Sequence, residues 1–391
     1  MVTTTIIKKG YKQTDLGVIP EDWDVKKLGD IFHVTRGQVL SMKKTTEGII
    51  GESKYPVYSS QTKDNGLAGY YKNYLFENCI TWTTDGANAG DVKFRAGKFY
   101  CTNVCGVLES NEGYANPCIA AIFNSISRKY VSYVGNPKLM NNVVAGIRIG
   151  IPHLIQEQTT IAAVLSDTDA LIEYLEKLIT KKKAIKQGAI QQLLTGKKRL
   201  PGFNGEWDMK SLEEIIVCLD NLRVPLNDKQ RSKIKGDYPY CGANGVLDYV
   251  NDYVIDDDII LIAEDGGYFD EYAYRPIAYR MYGKSWVNNH AHILKAKDHV
   301  YQDFIYYSLV HKNIQSFLAS GTRAKLNKSE MYKIEINIPK EKSEQTAIAK
   351  VLSDMDAEIK KLGQERDKYT MLKQGMMQQL LTGKIRIYGT N

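Results

Sequence analysis

The sequence predicts an α+β fold in which two mixed α/β modules are joined by two long antiparallel, coiled-coil-like helices, with a pseudo-twofold internal repeat. The first observation is the phrase QQLLTGK, which occurs at 191–197 and again at 378–384. The second is that each copy of the phrase ends a proline-free segment with heptad spacing of apolar residues. The third is that these segments alternate with stretches rich in Tyr, Gly, Asn and Val, which carry many turn signals.

The repeat extends well beyond the shared phrase. The segment EQTTIAAVLSD, which begins at Glu157, aligns without a gap with EQTAIAKVLSD, which begins at Glu344, and 24 of the 41 aligned positions are identical. The fronts of the two halves match more weakly, since EDWDVKKLGDI at 21–31 resembles GEWDMKSLEEI at 205–215. A period of 187 residues (157 to 344) indicates a domain duplication and excludes a short-repeat solenoid.

Both repeat segments are predicted to be helices, because their apolar residues recur at alternating steps of three and four. A helix of 38 residues spans roughly 57 Å, which exceeds an ordinary domain core, so we expect the two helices to pack on one another. The seam that faces the partner helix or a docked subunit is predicted to comprise Ile161, Leu165, Ile172, Leu175, Gly188, Ile348, Leu352, Ile359, Leu362 and Gly375.

Glycines and a polar group mark special positions in these helices. Gly196 and Gly383 are placed as C-terminal caps, while Gly188 and Gly375 lie inside the helices, where glycine costs about 1 kcal/mol relative to alanine. We expect the internal pair at a close helix approach or a kink, with a tolerated defect as the alternative. The shared LSD.D group is either a solvated face or a docking surface for another subunit.

The chain therefore has the order variable, constant, variable, constant. We expect modules at 1–155 and 198–342 and helical regions at 156–197 and 343–391. Within the modules, NPCIAAIFNSI and DFIYYSLVHKNIQSFLASG predict helices, and IILIA predicts a buried strand.

Composition narrows the class of protein. The 391 residues are 43% hydrophobic and 25% charged, which is typical of a globular protein of two or three domains. No apolar run predicts a membrane span or a signal peptide, so we expect a cytoplasmic protein. The net charge of +7 permits an anionic partner, and the six cysteines form no CxxC pair and are expected to be reduced.

Signatures of catalysis are missing from the sequence. No glycine-rich phosphate loop opens a helix, and no His/Cys cluster has the spacing of a zinc site. The HAH triplet at 290–292 could bind a metal, but its strand-like context favours structural histidines. TTDG at 83–86 and AEDG at 263–266 each carry one acid and are better interpreted as turns than as a nuclease site. We expect a protein without catalytic residues, metal or cofactor.

Two diverged modules held by two similar helices suit the recognition of two half-sites at a fixed separation. Over residues 15–385 the chain resembles the specificity subunit of type I restriction-modification systems, through IP…EQ..IA.VLSD.DA.I, KQG..QQLLTGK and YPYCGANGV.DYV…ILIAEDG…NNHAHIL…GTRAKLNKSEM. The resemblance implies two target-recognition domains, two conserved helical regions and no catalysis in this chain. The first module departs from the pattern with TTDGANAG and TNVCGVL, so inference for single residues is weaker there.

The resemblance also implies partners. They are double-stranded DNA with a bipartite asymmetric site, two modification (methyltransferase) subunits docked near the repeat, and restriction subunits indirectly, with no membrane. A homodimer through exposed seams is an open possibility for the isolated chain. The helices would act as a ruler for the spacer between half-sites.

Candidate DNA contacts are basic, amide and tyrosine side chains that can reach phosphates and base edges. In the first module they are Arg36, Lys43, Lys44, Gln61, Lys63 and Lys138. In the second module they are Arg223, Lys229, Arg231, Asn244, Tyr268, Arg323 and Lys325. For each residue the alternative is a solvated side chain. Two rival functions stay open, a protein scaffold without specific DNA binding and a solitary methyltransferase or nuclease with an unrecognised site.

Overall fold

The computed structural model describes residues 7–61, 63–319 and 324–387. The chain divides into two compact units, here called unit 1 (residues 1–175 and 365–391) and unit 2 (residues 176–364). Each unit therefore combines most of one predicted module with the beginning of one long helix and the end of the other. No helix among the described residues has the length and hydrophobicity that a membrane crossing requires.

The described part of unit 1 has ten strands, which are β1 (Tyr11–Thr14), β2 (Gly17–Pro20), β3 (Trp23–Lys27), β4 (His33–Arg36), β5 (Tyr55–Tyr58), β6 (Leu67–Tyr71), β7 (Phe76–Thr83), β8 (Val92–Cys101), β9 (Cys105–Glu109) and β10 (Arg148–Pro152). Its helices are α1 (Leu28–Ile31), α2 (Pro117–Ser127), α3 (Asn141–Gly146) and the first part of α4 (Ile155–Leu193). One sheet has the order β4-β9-β7-β8-β5-β6, and β3 pairs antiparallel with β10.

Unit 2 contains, in its described residues, the strands β11 (Trp207–Ser211), β12 (Ile216–Cys218), β13 (Lys235–Gly242), β14 (Gly245–Val250), β15 (Ile255–Asp256), β16 (Ile259–Ala263), β17 (Ala278–Met281), β18 (Lys284–Val287), β19 (Ala291–Ala296) and β20 (Glu335–Pro339). Its helices are α5 (Leu212–Ile215), α6 (Asp228–Arg231), α7 (Gln302–Leu309), α8 (Lys328–Tyr332) and the first part of α9 (Lys342–Leu380). Two sheets have the orders β12-β19-β16-β17 and β14-β13-β18-β15, and β11 pairs antiparallel with β20.

Local sequence explains two elements that position the sites. The helix predicted for NPCIAAIFNSI is confirmed as α2, where the Asn116 side chain caps the N-terminus by accepting from the Ile119 amide at 3.1 Å and Pro117 occupies the first turn. The predicted buried strand IILIA is confirmed as β16. Every residue of β16 is buried because the strand has neighbours on both edges and packed layers on both faces.

One helix prediction is wrong in its extent. The sequence DFIYYSLVHKNIQSFLASG was predicted to be helical throughout, but α7 ends at Leu309 and only a 3-10 turn follows at Gln315–Phe317. The Asn313 side chain accepts a hydrogen bond from the Gln315 amide at 3.1 Å, and such local bonds compete with helix formation. Residues 320 and 321 of that prediction lie outside the described residues.

Both predicted helical regions contain a long helix, and each helix has 39 residues and spans about 58 Å. The helix α4 ends four residues before the predicted bound at 197, and α9 ends eleven residues before the bound at 391. Gly196 and Gly383, with φ of 69° and 68°, adopt the left-handed conformation after their ends. Of the predicted seam, Ile161 and Leu165 pack into the core of unit 1, and Ile348 and Leu352 into that of unit 2.

The remaining seam positions are less uniform. Leu175 is buried, while Ile172, Ile359 and Leu362 are half-buried. The close approach expected at Gly188 and Gly375 is absent from the described residues, because a Cβ at either position would meet no heavy atom within 4 Å.

Within each unit, the two helices are antiparallel and joined by ion pairs. In unit 2, Lys182 Nζ lies 2.7 Å from Glu358 Oε1, and Lys186 pairs with Asp356. In unit 1, Lys373 pairs with Asp169. The pairs Lys186–Asp356 and Lys373–Asp169 are repeat-equivalent, so the same two identical residues form the same contact in each unit.

A second repeat-equivalent contact lies at the helix ends. In unit 2, Arg199 binds Glu344 through two hydrogen bonds of 2.6 and 2.7 Å. In unit 1, Arg386 binds Glu157, with Nη2 to Oε2 at 2.8 Å, and also binds Asp22. Glu157 and Glu344 are each only 1% exposed, so each arginine neutralises a buried carboxylate. These arginines follow the two copies of QQLLTGK, and the contact gives a structural reason for the repeat.

Replacing Arg386 by alanine is expected to lower the free energy of unfolding by about 3 kcal/mol, because the buried Glu157 carboxylate would lose its counter-charge. Arg199→Ala is expected to have a similar effect in unit 2. The control is Lys350→Ala, which removes an exposed pair with Asp354 and should cost less than about 0.5 kcal/mol. Urea unfolding followed by circular dichroism measures all three, and equal stability of Arg386→Ala and Lys350→Ala would contradict this role.

Candidate nucleic-acid interface

In unit 1, two of the predicted DNA-contacting residues form ion pairs with the same loop carboxylate. Asp85 follows the inner strand β7, and its carboxylate oxygens lie 3.7 Å from Arg36 Nη2 and 3.9 Å from Lys138 Nζ. Arg36 also donates to Thr84 Oγ1 at 3.2 Å, and that hydroxyl donates to Asp85 at 2.6 Å. Arg36 at the end of β4 and Lys138, far apart in sequence, are thereby placed side by side.

Unit 2 builds the matching arrangement on a different acid. Glu264 follows the inner strand β16 and binds Arg223 Nη1 and, at 2.9 Å, Lys325 Nζ. Arg36 and Arg223 are 187 residues apart, as are Lys138 and Lys325 (36 + 187 = 223; 138 + 187 = 325). The structure thus brings four of the thirteen candidates together as two matched Arg–Lys pairs.

The two arginines differ in what they can reach. The Arg36 side chain is 44% exposed, whereas that of Arg223 is 19% exposed. Arg223 is also bound by the carbonyl oxygens of Asp220 at 3.2 Å and Ala291 at 3.4 Å. Arg36 can therefore contact a ligand directly, while Arg223 mainly holds Glu264 and, through it, Lys325.

A loop closed by backbone hydrogen bonds carries the lysine of each pair, and we call these the tip loops (132–138 in unit 1, 319–325 in unit 2). In unit 1 the Trp82 indole donates to the Leu139 carbonyl at 3.0 Å, directly after the tip loop. In unit 2 the His292 ring takes that role, with Nε2 2.8 Å from the Leu326 carbonyl oxygen. Residues 320–323 of the second tip loop, including the candidate Arg323, lie outside the described residues.

Lys325 joins a chain of alternating charges that is half-buried at Glu264 and Arg223 and ends at the buried His292. Glu264 contacts Arg223, and Arg223 Nη2 lies 3.4 Å from Asp220 Oδ2. Asp220 Oδ2 in turn lies 2.6 Å from Nδ1 of the buried His292. Burial raises the pKa of Asp220 and of Glu264, but hydrogen bonds to the neighbouring cations outweigh it and leave the pKa of both carboxyls below its usual range.

His292 is the buried cation of this chain. Burial by itself lowers the pKa of His292, but hydrogen bonds with Asp220, Cys218 and the Leu326 carbonyl outweigh burial and raise the pKa to about 9. Both ring nitrogens have an acceptor, which is the arrangement of a doubly protonated imidazolium.

This histidine also belongs to a group of side chains that a metal could approach. In the described residues, one ligand atom each of Cys218, Asp220 and His292 lies within 4.8 Å of the others. The hydrogen bonds made by both nitrogens of His292 favour the structural role that the sequence predicted over metal binding. The other histidine of the triplet, His290, pairs through Nδ1 with Asp265 at 2.8 Å.

In each unit a hairpin loop borders the loop that carries the acid, which we call the acid loop (84–91 in unit 1, 264–268 in unit 2). In unit 2 the candidate Asn244 donates to the Gly266 carbonyl at 2.8 Å, which ties the β13–β14 turn to the acid loop. In unit 1 Asn88 donates to the Ser60 carbonyl at 3.3 Å, which ties the β5–β6 loop to the acid loop. The candidate Gln61 lies in this loop and donates to the Leu67 carbonyl. Backbone pairing of Asp85 with Lys138 in unit 1, and of Asp265 with Lys325 in unit 2, joins the acid loop to the end of the tip loop. We call the described residues of these three loops the rim of each unit.

Sequence reasoning missed Arg95, which supports the hairpin loop of unit 1. The Arg95 side chain lies in β8, donates to the Asn65 carbonyl at 2.8 Å and to Thr81 Oγ1 at 3.2 Å, and stacks 3.8 Å from the centre of the Tyr58 ring. Burial lowers the pKa of Arg95. The burial pattern of β8 does not alternate around Arg95, so strand periodicity gave no signal for this residue.

The other candidates fall into two groups. Lys43, Lys44, Lys63 and Lys229 are exposed on short helical turns, where they can contact a ligand. Arg231 pairs with Asp228 and with Asp248 at 3.4 Å, and Tyr268 lies under the Arg275 guanidinium. Arg231 and Tyr268 thus have partners inside unit 2.

Comparisons with known proteins bear on the whole chain. A family model described as the type I restriction modification DNA specificity domain matches residues 20–187 and again residues 204–367. A putative type I restriction enzyme specificity subunit of Haemophilus influenzae is 37% identical over 161 residues, which cover 41% of this chain and 40% of that protein. The matched segment therefore spans less than half the length of that relative.

Two further relatives match over nearly the full length. The MjaVIII specificity subunit of a type I restriction enzyme from Methanocaldococcus jannaschii is 23% identical, with 95% of both chains covered. A solved S subunit of the type I restriction-modification system from M. genitalium has a TM-score of 0.67 at 18% identity, covering 92% of this chain and 96% of that one. At this identity the structural likeness concerns the fold.

The buried charge chain predicts a pH-dependent stability of unit 2. The pKa of His292 is about 9 in the fold and 6.5 in a free side chain, so its contribution is complete below pH 6.5 and is lost as the pH rises through 9. The loss amounts to about 3 kcal/mol. Urea unfolding at a series of pH values should show this slope for the wild type and a flatter profile for His292→Gln. Identical slopes would contradict a buried imidazolium.

Proposed function

The chain belongs to the type I restriction modification DNA specificity family, whose model matches both of its halves, and from this membership we propose that it is the subunit that reads a bipartite, asymmetric DNA site. Each unit reads one half-site in this proposal. Adenine methylation and DNA cleavage are assigned to other subunits, so the chain itself is a non-catalytic component of the complex.

The observation that carries the proposal is the pair of matched Arg–Lys clusters. Arg36 with Lys138 and Arg223 with Lys325 occupy repeat-equivalent positions on the rims of two otherwise diverged units. A lysine at the same place in both units suits a ligand whose backbone repeats, and DNA presents phosphates in this way.

The side chains around the two Arg–Lys pairs differ, which supports the proposal that the two units read different base sequences. Unit 1 places Thr84 and Asp85 on its acid loop, whereas unit 2 places Glu264 and the Asp265–His290 pair there. Hydroxyl, carboxylate and imidazole groups contact different base edges in the major groove. We therefore assign base reading to these rims and phosphate positioning to Lys138, Lys325 and the exposed Lys43, Lys44, Lys63 and Lys229.

We propose that the long helices set the length of the DNA spacer between the two half-sites. Each helix is continuous from residues of one unit to residues of the other, so its length is the natural measure of a fixed separation. The recognition domains in this proposal are residues 1–155 and 198–342, and the helical regions are residues 156–197 and 343–391.

Identical exposed residues support the docking of two modification subunits near the repeat. Asp167 matches Asp354, Ala170 matches Ala357, and Gln187 matches Gln374, and all six side chains are exposed. Packing within a unit gives no reason for exposed residues to be identical in the two helices. Binding of the same partner at both places does give such a reason. The LSD.D group has a divided role, because Asp169 and Asp356 bind lysines of the other helix.

The direct test is co-expression of this chain with a modification subunit encoded beside it, followed by mapping of methylated adenines in the host DNA. The proposal predicts a two-part motif with a fixed gap. Exchange of residues 15–150 for those of a related subunit should change one half of the motif and leave the other unchanged. A complex that forms and methylates without a bipartite motif would contradict the proposal.

Removal of one phosphate contact has a defined signature. Lys138→Ala and Lys325→Ala should each weaken binding to cognate and mismatched DNA by similar factors, and each should reduce the slope of log K against log salt by about 1. Lys350→Ala, which removes an exposed charge from α9, is the control and should leave the slope unchanged. Fluorescence anisotropy titrations between 50 and about 200 mM salt measure the slopes. Unchanged slopes for both lysine variants would remove them from the interface.

A further inference from the structure

The tip loop of unit 1 ends in two exposed apolar side chains. Tyr133 is 68% exposed and Val134 is 93% exposed, and they are adjacent in the sequence of the loop at 132–138. Exposed apolar residues are common on protein surfaces, so what distinguishes this pair is its place in the loop that ends at Lys138, beside Asp85 and Arg36. The roles assigned above to cations and acids do not use these two residues.

The base of this loop is firmly held. Ser132 and Lys138 exchange backbone hydrogen bonds of 2.8 and 2.9 Å, and the Gly86 amide donates to the Pro137 carbonyl at 2.9 Å. Directly after the loop, the buried Leu139 donates its amide to the Thr84 carbonyl at 2.9 Å. The tip turn itself passes through Gly135, whose φ of 75° suits glycine.

A held loop with an apolar tip loses little conformational entropy when it binds. The same loop ends at Lys138, which lies beside Arg36 on Asp85, so positive charge borders the apolar tip. A partner that contacts both features combines negative charge with nearby apolar surface. DNA meets both requirements, since phosphates flank the thymine methyl groups and the flat faces of the bases.

We propose that Tyr133 and Val134 are specificity-determining residues of unit 1, which meet the apolar surface of bases in the first half-site while Lys138 and Arg36 hold the adjacent backbone. This inference rests on the proposed function. The apolar surface is either a thymine methyl group or the face of a base step that the tip partly opens.

The sequence of the second tip loop differs from that of the first in its apolar residues. Its sequence between Ala319 and Lys325 is SGTRA, which has no large apolar residue. From this difference in sequence, the proposal predicts that the apolar contact is made in the first half-site and is missing from the second.

The test measures binding of the assembled complex to duplexes that carry the mapped site. The double variant Tyr133→Ala/Val134→Ala should bind the cognate duplex about tenfold more weakly, because apolar anchors at an interface contribute this much when truncated. Its preference for cognate over first-half-site mismatches should shrink by the same factor, while its preference at the second half-site is unchanged. The conservative variant Tyr133→Phe/Val134→Ile should keep wild-type binding.

Two experiments with modified duplexes identify which part of the base the two side chains contact. Replacing thymine by uracil in the first half-site removes methyl groups, and a loss seen for the wild type but not for the double alanine variant assigns the methyl contact. An increase of 2-aminopurine fluorescence on binding, absent in that variant, assigns an opened base step. Weaker binding with neither signature overturns the assignment to bases.

The remaining outcomes are equally decisive. Unchanged affinity and discrimination in the double alanine variant overturn the inference, and a variant that fails only to assemble with the modification subunit shows that the tip meets protein. If the wild-type complex itself has no bipartite preference, the proposed function fails independently of the tip. Tyr274→Ala, a change of an exposed tyrosine in unit 2, is the control and should not alter reading of the first half-site.

Discussion

Two buried carboxylates constrain the whole chain. Glu157 and Glu344 lie at the starts of the long helices, and each is neutralised by an arginine that follows the end of the other helix, Arg386 and Arg199. A buried carboxylate without its counter-charge costs several kcal/mol, so both ends of both repeats must be kept together. The repeated phrase QQLLTGK therefore marks the place where each helix end turns back to complete a unit.

Much of the fold could be predicted because the signals for its helices and strands are either local in the sequence or periodic. The helices, their glycine caps and the buried strand β16 follow from heptads, left-handed glycines and an apolar run. The end of α7 at Leu309 was not predicted, because the apolar pattern continues past it, and beyond it the Asn313 side chain binds the Gln315 amide, a local bond that competes with helix formation. The reason for glycine at Gly188 was also missed, since the structure leaves open space there.

The sequence predicted which residues belong to the candidate site, but it did not predict which of them contact one another. Arg36 and Lys138 were chosen as separate cations, and only the fold shows that Asp85 holds them side by side. Arg223 was predicted to contact DNA, with a solvated side chain as the alternative, and the fold places it in a chain of charges that ends at His292. Such long-range partners carry no periodic signal, so they become visible only when tertiary structure brings distant residues together.

Helix length determines half-site spacing in the proposed function, and one measurement tests this role most directly. Seven residues, one heptad, are inserted after Leu175 and, at the repeat-equivalent place, after Leu362, between the ion pairs of the two units. The insertion adds about 10 Å to each helix, the length of about three base pairs. Mapping methylated adenines should show a gap longer by one to about three base pairs with unchanged half-sites. An active complex with the original gap would contradict the account.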